Sequence, residues 1–96
     1  MNLLELIKSK RKEILDIAAK YGAHNVRIFG SVARGAANEQ SDVDFLVAME
    51  EDRSLLDHIG LEEDLESILR HKVDVVTDRG VSPYLKERIY SEAVAL

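Results

Sequence analysis

FGSVARGAANEQSDVDFL, residues 29–46, is the stretch on which the reading of this chain turns. Val26 to Phe29 is rich in strand formers and stops at Gly30, a residue that lets the backbone turn sharply or approach a ligand closely. Ser31 reads as the N-cap of a short helix ending at Gly35, which would turn unpaired N–H groups and a hydroxyl outward at a helix N-terminus, where anions are favoured. Arg34 adds a charged fork to the same turn. On its own the Gly-Ser pair reads as a plain strand–turn–helix junction with a Ser cap, since it is neither a Walker A loop nor a Gly-x-Gly-x-x-Gly loop.

The aspartates narrow the choice. Residues i and i+2 of a strand point to one face, so Asp42 and Asp44 would present two carboxylates roughly 7 Å apart on the same side. They lead into Phe45-Leu46-Val47-Ala48-Met49, an apolar run that reads as a central strand covered on both faces. Two like charges at the mouth of a buried strand repel and lose hydration, and a bound divalent cation would remove that cost. The alternative is a Ser41-Asp42 turn followed by a solvated strand end.

The combination resembles the nucleotidyltransferase fold of the polymerase beta superfamily. Its signature is an apolar residue, Gly, then Gly or Ser, a gap of about ten residues, then Asp, apolar, Asp or Glu, apolar. Phe29, Gly30, Ser31, Asp42, Val43, Asp44 and Phe45 match it in order. The fuller form, Gly30-Ser31-Val32-Ala33-Arg34-Gly35 with Ser41-Asp42-Val43-Asp44, is similar to the minimal nucleotidyltransferases, the MNT family, whose members are often antitoxins paired with HEPN-domain toxins. With its flanking elements the resemblance spans nearly the whole chain.

Working outward, 96 residues suit a single domain (1–96) whose one core suffices without staples. There is no cysteine, so disulfides and thiolate metal sites are excluded, which fits a reducing cytoplasm. No signal peptide or membrane-length apolar run is evident, and the expectation is a cytoplasmic protein without membrane contact. The net charge of −5 is unevenly spread: residues 1–37 carry +4, residues 38–78 carry −10 and the remainder +1. An acidic middle lacks the basic track that direct nucleic-acid binding needs, and suits cations or a basic partner surface. Taken one at a time, Glu62, Glu63, Asp64 and Glu66 read as solvated helix acids.

A first helix is expected over 3–21, with Asn2 as N-cap, Glu5 three residues on and Gly22 beyond the end. Its apolar face would be Leu3, Leu4, Ile7, Ile14, Leu15 and Ala18. Lys8, Lys10, Arg11 and Lys12 form a basic cluster without an aromatic platform and read as a solvated face. Ser54 and Asp57 open a helix over about 55–70 in the manner of a capping box, with Leu55, Ile59, Leu61, Leu65, Ile68 and Leu69 inward and a bend at Gly60. Val73-Asp74-Val75-Val76 is a third strand. A lone Asp among valines needs a partner: Lys72 or an Arg by the residues alone, whereas the resemblance implies that Asp74 joins Asp42 and Asp44 as a third metal-site or general-base residue. Ser82-Pro83 predicts a last helix over about 83–91, with Tyr84 and Tyr90 at the core edge and a short edge strand or frayed end over 93–96. His24, His58 and His71 lack metal-ligand spacing.

The order helix, strand, short helix, strand, helix, strand, helix gives an α/β (α+β) domain, a small mixed sheet flanked by helices. The resemblance implies ATP as donor, Gly30, Ser31 and Arg34 on its phosphates, and Mg²⁺, two ions, on Asp42, Asp44 and Asp74. It further implies transfer of AMP to a hydroxyl, a Tyr of a cognate HEPN-type ribonuclease toxin. Two other readings stay open: a nucleotidyltransferase for a small aminoglycoside-like acceptor, and a catalytically weak antitoxin that works by occlusion.

Overall fold

The computed structural model describes residues 2–96. The elements run α1 (Leu3–Ser9), α2 (Arg11–Lys20), β1 (Ala23–Phe29), α3 (Gly30–Ala33), β2 (Val43–Met49), α4 (Leu55–Leu69), β3 (Val73–Thr77), a 3₁₀ turn (Asp78–Gly80), α5 (Lys86–Glu92) and β4 (Val94–Ala95). The sheet order is β3-β2-β1-β4. β1 is antiparallel to β2 and β4, and β2 is parallel to β3, so the sheet is mixed, as expected.

The alternation of each strand sorts its side chains between two faces. Val26 and Ile28 of β1, Val43, Phe45 and Val47 of β2, and Val73 and Val75 of β3 are buried together with Ile7, Ile14 and Ala18 of the first two helices and Leu61, Leu65 and Leu69 of α4. The other face carries Arg27, Phe29, Asp44, Leu46, Asp74 and Val76. Leu46 is fully buried yet stands outside the main core cluster, so β2 is covered on both sides at its centre and is partly open at each end, at Asp44 and at Ala48.

Several local expectations meet a different outcome. The helix expected over 3–21 is two helices broken at Lys10, whose N–H is shared between the carbonyls of Leu6 and Ile7 while the Ser9 hydroxyl donates to Leu6 O at 2.6 Å. Asn2 does cap α1, accepting from the Glu5 N–H at 2.8 Å. Ser31 is not an N-cap: Phe29 holds that position and Ser31 lies inside the first turn. The last helix begins at Lys86 rather than 83, because Ser82 to Leu85 close a turn, the Leu85 N–H donating to Ser82 O at 3.0 Å. Tyr84 is consequently 97% exposed and not at the core edge. Leu55 and Ile59 are exposed too: the buried residues of α4 are Leu61, Leu65 and Leu69, so the helix meets the core only beyond Gly60.

The acids of α4 do more than solvate it. β3 is an edge strand, and the N–H groups of Val73 and Val75 donate to Glu66 Oε2 at 2.9 Å and Glu62 Oε2 at 2.8 Å. Two carboxylates thus satisfy an edge that would otherwise offer free donors to another strand. Asp64 accepts from the Tyr21 hydroxyl at 2.8 Å, tying α4 to the end of α2.

Gly60 does not bend α4, which runs unbroken through it; the glycine makes room for Tyr21. A Cβ built there would lie 2.5 Å from Tyr21 Cε1. Helix propensity alone favours Ala over Gly by about 1 kcal/mol, but a methyl driven into a held ring costs about 1–3 kcal/mol. Gly60→Ala is therefore expected to lower stability in a urea melt, and Tyr21→Ala in the same chain should turn the sign of the Gly60→Ala effect to stabilising.

Candidate active site

The site forms where β1 ends and β2 and β3 begin. Gly30 takes φ +75°, a left-handed conformation that a side chain would strain, and a Cβ at that position would collide with Asp44 Oδ2. The glycine is required twice, for the turn and for the approach of the carboxylate. Gly35, at φ +73°, ends the turn that α3 makes. Arg34 follows α3 and swings back over the same end of the sheet.

Register places the carboxylates. Asp44 stands opposite Phe29 in β1 and opposite Asp74 in β3, and Asp42 immediately precedes β2. Asp44 is half-buried, while Asp42 and Asp74 are exposed. Burial pushes the Asp44 carboxyl above its usual range, and the neighbouring charges of Asp74 and Asp42 push it further, with Arg34 opposing. Asp42, Asp74 and Arg34 thus stand near enough to Asp44 for their charges to act on it. Among the described residues Asp74 has no salt-bridge partner, and the pairing with Lys72 or an Arg is not formed.

Among the described residues no three side chains of His, Asp or Glu already converge as a metal cage. The donor set nonetheless fits Mg²⁺. That ion takes hard oxygens, keeps several waters, and is usually held by one or two carboxylates plus substrate phosphates rather than by a cage of protein groups. A half-buried carboxylate, raised by burial and by two like charges and facing a side-chain-free Gly30, has the chemistry that such a partial shell requires.

One residue at this site escapes sequence reasoning. Glu92, at the end of α5, accepts from the Gly30 N–H at 2.9 Å and from Arg34 Nη1 at 3.1 and 3.3 Å. Burial would raise its carboxyl, but the Gly30 N–H and the Arg34 fork outweigh this and hold it below the usual range. α5 is fixed in turn by Tyr90, whose hydroxyl donates to Asp78 and whose ring lies under the Arg27 guanidinium, itself paired with Asp78 at 2.8 Å. Burial pushes Asp78 up, and Tyr90 and Arg27 together bring it below its usual range.

The arrangement is an open face. Asp42, Asp74 and Arg34 are exposed on it, and two clefts lie elsewhere, one of about 300 Å³ between α1 and residues 37–39, another of about 510 Å³ beside Met49 and Arg79. Chemically, a turn with an arginine beside three carboxylates can hold a polyanion together with divalent cations.

Comparison with known proteins agrees with this reading of the fold. The model of the nucleotidyltransferase domain matches residues 8–96. The protein adenylyltransferase MntA of Thermococcus cleftensis is 37% identical over 89 residues, covering 93% of this chain and 87% of its own. A solved structure provisionally named a minimal nucleotidyltransferase is 49% identical, with a TM-score of 0.88 over 100% of this chain and 97% of its own. A toxin–antitoxin complex with AMP-PNP shares the fold at 22% identity and a TM-score of 0.75, over 88% of this chain and 69% of that one.

Proposed function

The chain belongs to the nucleotidyltransferase domain family, and from that premise we propose that it transfers AMP from ATP to a hydroxyl on a partner protein, a HEPN-type ribonuclease toxin whose antitoxin it is. The observation that carries the proposal is the meeting of the Gly30-Ser31 turn, Arg34 and the three aspartates on one open face. A walled cleft would select a small acceptor; an open face admits a tyrosine hydroxyl presented by another folded protein. The Thermococcus cleftensis relative, named a protein adenylyltransferase, supports the same acceptor class.

In this reading Ser31 and Arg34 bind the ATP phosphates, and Gly30 contributes chiefly by lacking a side chain, because its N–H is already given to Glu92. Asp42 and Asp44, with Asp74, would hold Mg²⁺, which when bound neutralises phosphate charge and stabilises the leaving pyrophosphate. The acceptor oxygen forms a bond to the α-phosphorus as the bond from that phosphorus to the bridging oxygen breaks. Pyrophosphate leaves with those electrons, and the acceptor's proton passes to a carboxylate, a role proposed for Asp74, which is exposed and opposite Asp44. The product is an AMP ester.

The test is incubation of the purified toxin with this protein, ATP and Mg²⁺, followed by intact mass. Whole AMP increments on the toxin are expected, lost on Tyr→Phe at the acceptor; an unmodified toxin would overturn the proposal. A second reading, neutralisation by occlusion, draws on the start of α4, where Leu55 and Leu56 are 72% and 78% exposed among acids. It predicts full neutralisation with no mass change.

A further inference from the structure

Glu92 links the end of the chain to the phosphate turn. Its carboxylate is the acceptor for the Gly30 N–H and for one nitrogen, Nη1, of Arg34, two groups at the centre of the proposed donor site. The backbone that presents it is pinned on both sides. Ala93 N–H donates to Ile89 O at 3.0 Å, β4 pairs with β1 through Arg27–Ala95 and Ile28–Val94, Leu96 N–H donates to Val26 O at 3.0 Å, and Arg11 Nε donates to Leu96 O at 2.7 Å. Upstream, Tyr90, Asp78 and Arg27 hold α5 to the sheet. The Glu92 side chain is 17% exposed and the Arg34 side chain 45%, so the guanidinium is more open to solvent than the carboxylate it pairs with.

We propose that Glu92 is a positioning residue for the nucleotide: it fixes the Gly30 turn and aims the Arg34 fork toward the incoming phosphates. The proposal rests on the assignment of Arg34 to those phosphates. An arginine has many rotamers, and one held in place by a charged partner loses less freedom when it binds. Only Nη1 is engaged by Glu92, which leaves the other guanidinium nitrogens for an anion. The Arg34 charge also offsets the charge that Glu92 adds near Asp44. The opposite role, a carboxylate that occupies the phosphate seat and must be expelled, makes a prediction of opposite sign.

Calorimetry with Mg²⁺ and a nonhydrolysable ATP analogue separates these roles, using wild type, Glu92→Gln, Arg34→Ala and the double variant. Glu92→Gln should weaken the analogue on the order of tenfold, the scale of one charge-assisted contact. Positioning through Arg34 further requires that Glu92→Gln cost little or nothing more once Arg34 is Ala. Glu92→Asp, which keeps the charge but draws it back by one methylene, should fall between wild type and Gln, and serves where Gln impairs folding. Tighter binding by Glu92→Gln would overturn positioning in favour of an internal competitor. Unchanged affinity with a lower melting temperature would leave Glu92 a structural tie only, and additive losses in the double variant would place its effect elsewhere than Arg34. If Arg34→Ala binds as wild type does, the phosphate assignment itself fails, whatever Glu92 does.

Discussion

Asp44→Asn is expected to lower AMP transfer by a factor on the order of 10³, the loss seen when one preorganised electrostatic group is removed from a transition state, while leaving the complex with the partner intact. The expectation follows from where the residue sits. Asp44 is the half-buried member of the three aspartates, opposite Asp74 in the parallel register, and is raised by burial and by both neighbours. Asparagine keeps its shape and one oxygen, removes the charge that would draw a cation, and leaves the surface of α4 untouched. Single-turnover transfer followed by intact mass measures the first effect, and size-exclusion with the toxin measures the second. A growth-rescue assay adds a decision: if Asp44→Asn neutralises the toxin as well as wild type, the protein works by occlusion and the enzymatic reading of its role in the pair is wrong.

The parts of this site that were legible in the sequence are those encoded at short range. The Gly30-Ser31 turn, Arg34 and the Asp42-x-Asp44 pair lie within fifteen residues, and a strand's period fixes which of them share a face. Asp74 came into view only through the family resemblance, because a lone aspartate among valines reads by itself as the partner of Lys72 or an arginine. Glu92 was not legible at all. Its contact with Gly30 spans 62 residues, and a glutamate near the end of a helix carries no local mark of its partner. The same limit explains α4. Periodicity identified an apolar stripe but could not tell that the helix meets the core only from Leu61 onward, so Leu55 and Ile59 read as core. Glu62 and Glu66 read as solvated for the reverse reason, since an edge strand's need for acceptors is visible only once β3 is placed beside them.

Asp44→Asn is also expected to change stability in a direction that depends on what is bound. In the metal-free protein Asp44 is an acid whose folded-state carboxyl is raised, by burial first and then by Asp74 and Asp42. The folded state therefore binds its proton more tightly than the unfolded chain does. By linkage its contribution is fully present below the unfolded carboxylate's range and is lost as pH rises through the raised folded value. Wild type in EDTA should thus lose stability relative to Asp44→Asn as pH climbs above the ordinary carboxylate range, and at neutral pH the variant should be the more stable of the two or nearly equal. Comparing the two proteins cancels the opposite trend of Asp78, whose carboxyl is lowered. Adding Mg²⁺ with a nonhydrolysable ATP analogue should reverse the order. A ligand that binds only the folded state stabilises by RT ln(1 + [L]/Kd), about 2.7 kcal/mol at a hundred times Kd. Wild type should gain this and the variant much less, because the cation that offsets the clustered charge has lost its best-placed carboxylate. Thermal melts of both proteins across pH, in EDTA and then in Mg²⁺ with the analogue, read all of these effects. An Asp44→Asn protein that unfolds far more easily than wild type in EDTA at neutral pH, or a wild type whose melting temperature ignores the ligand, would make Asp44 a structural residue and remove the basis for a metal-assisted transfer at this face.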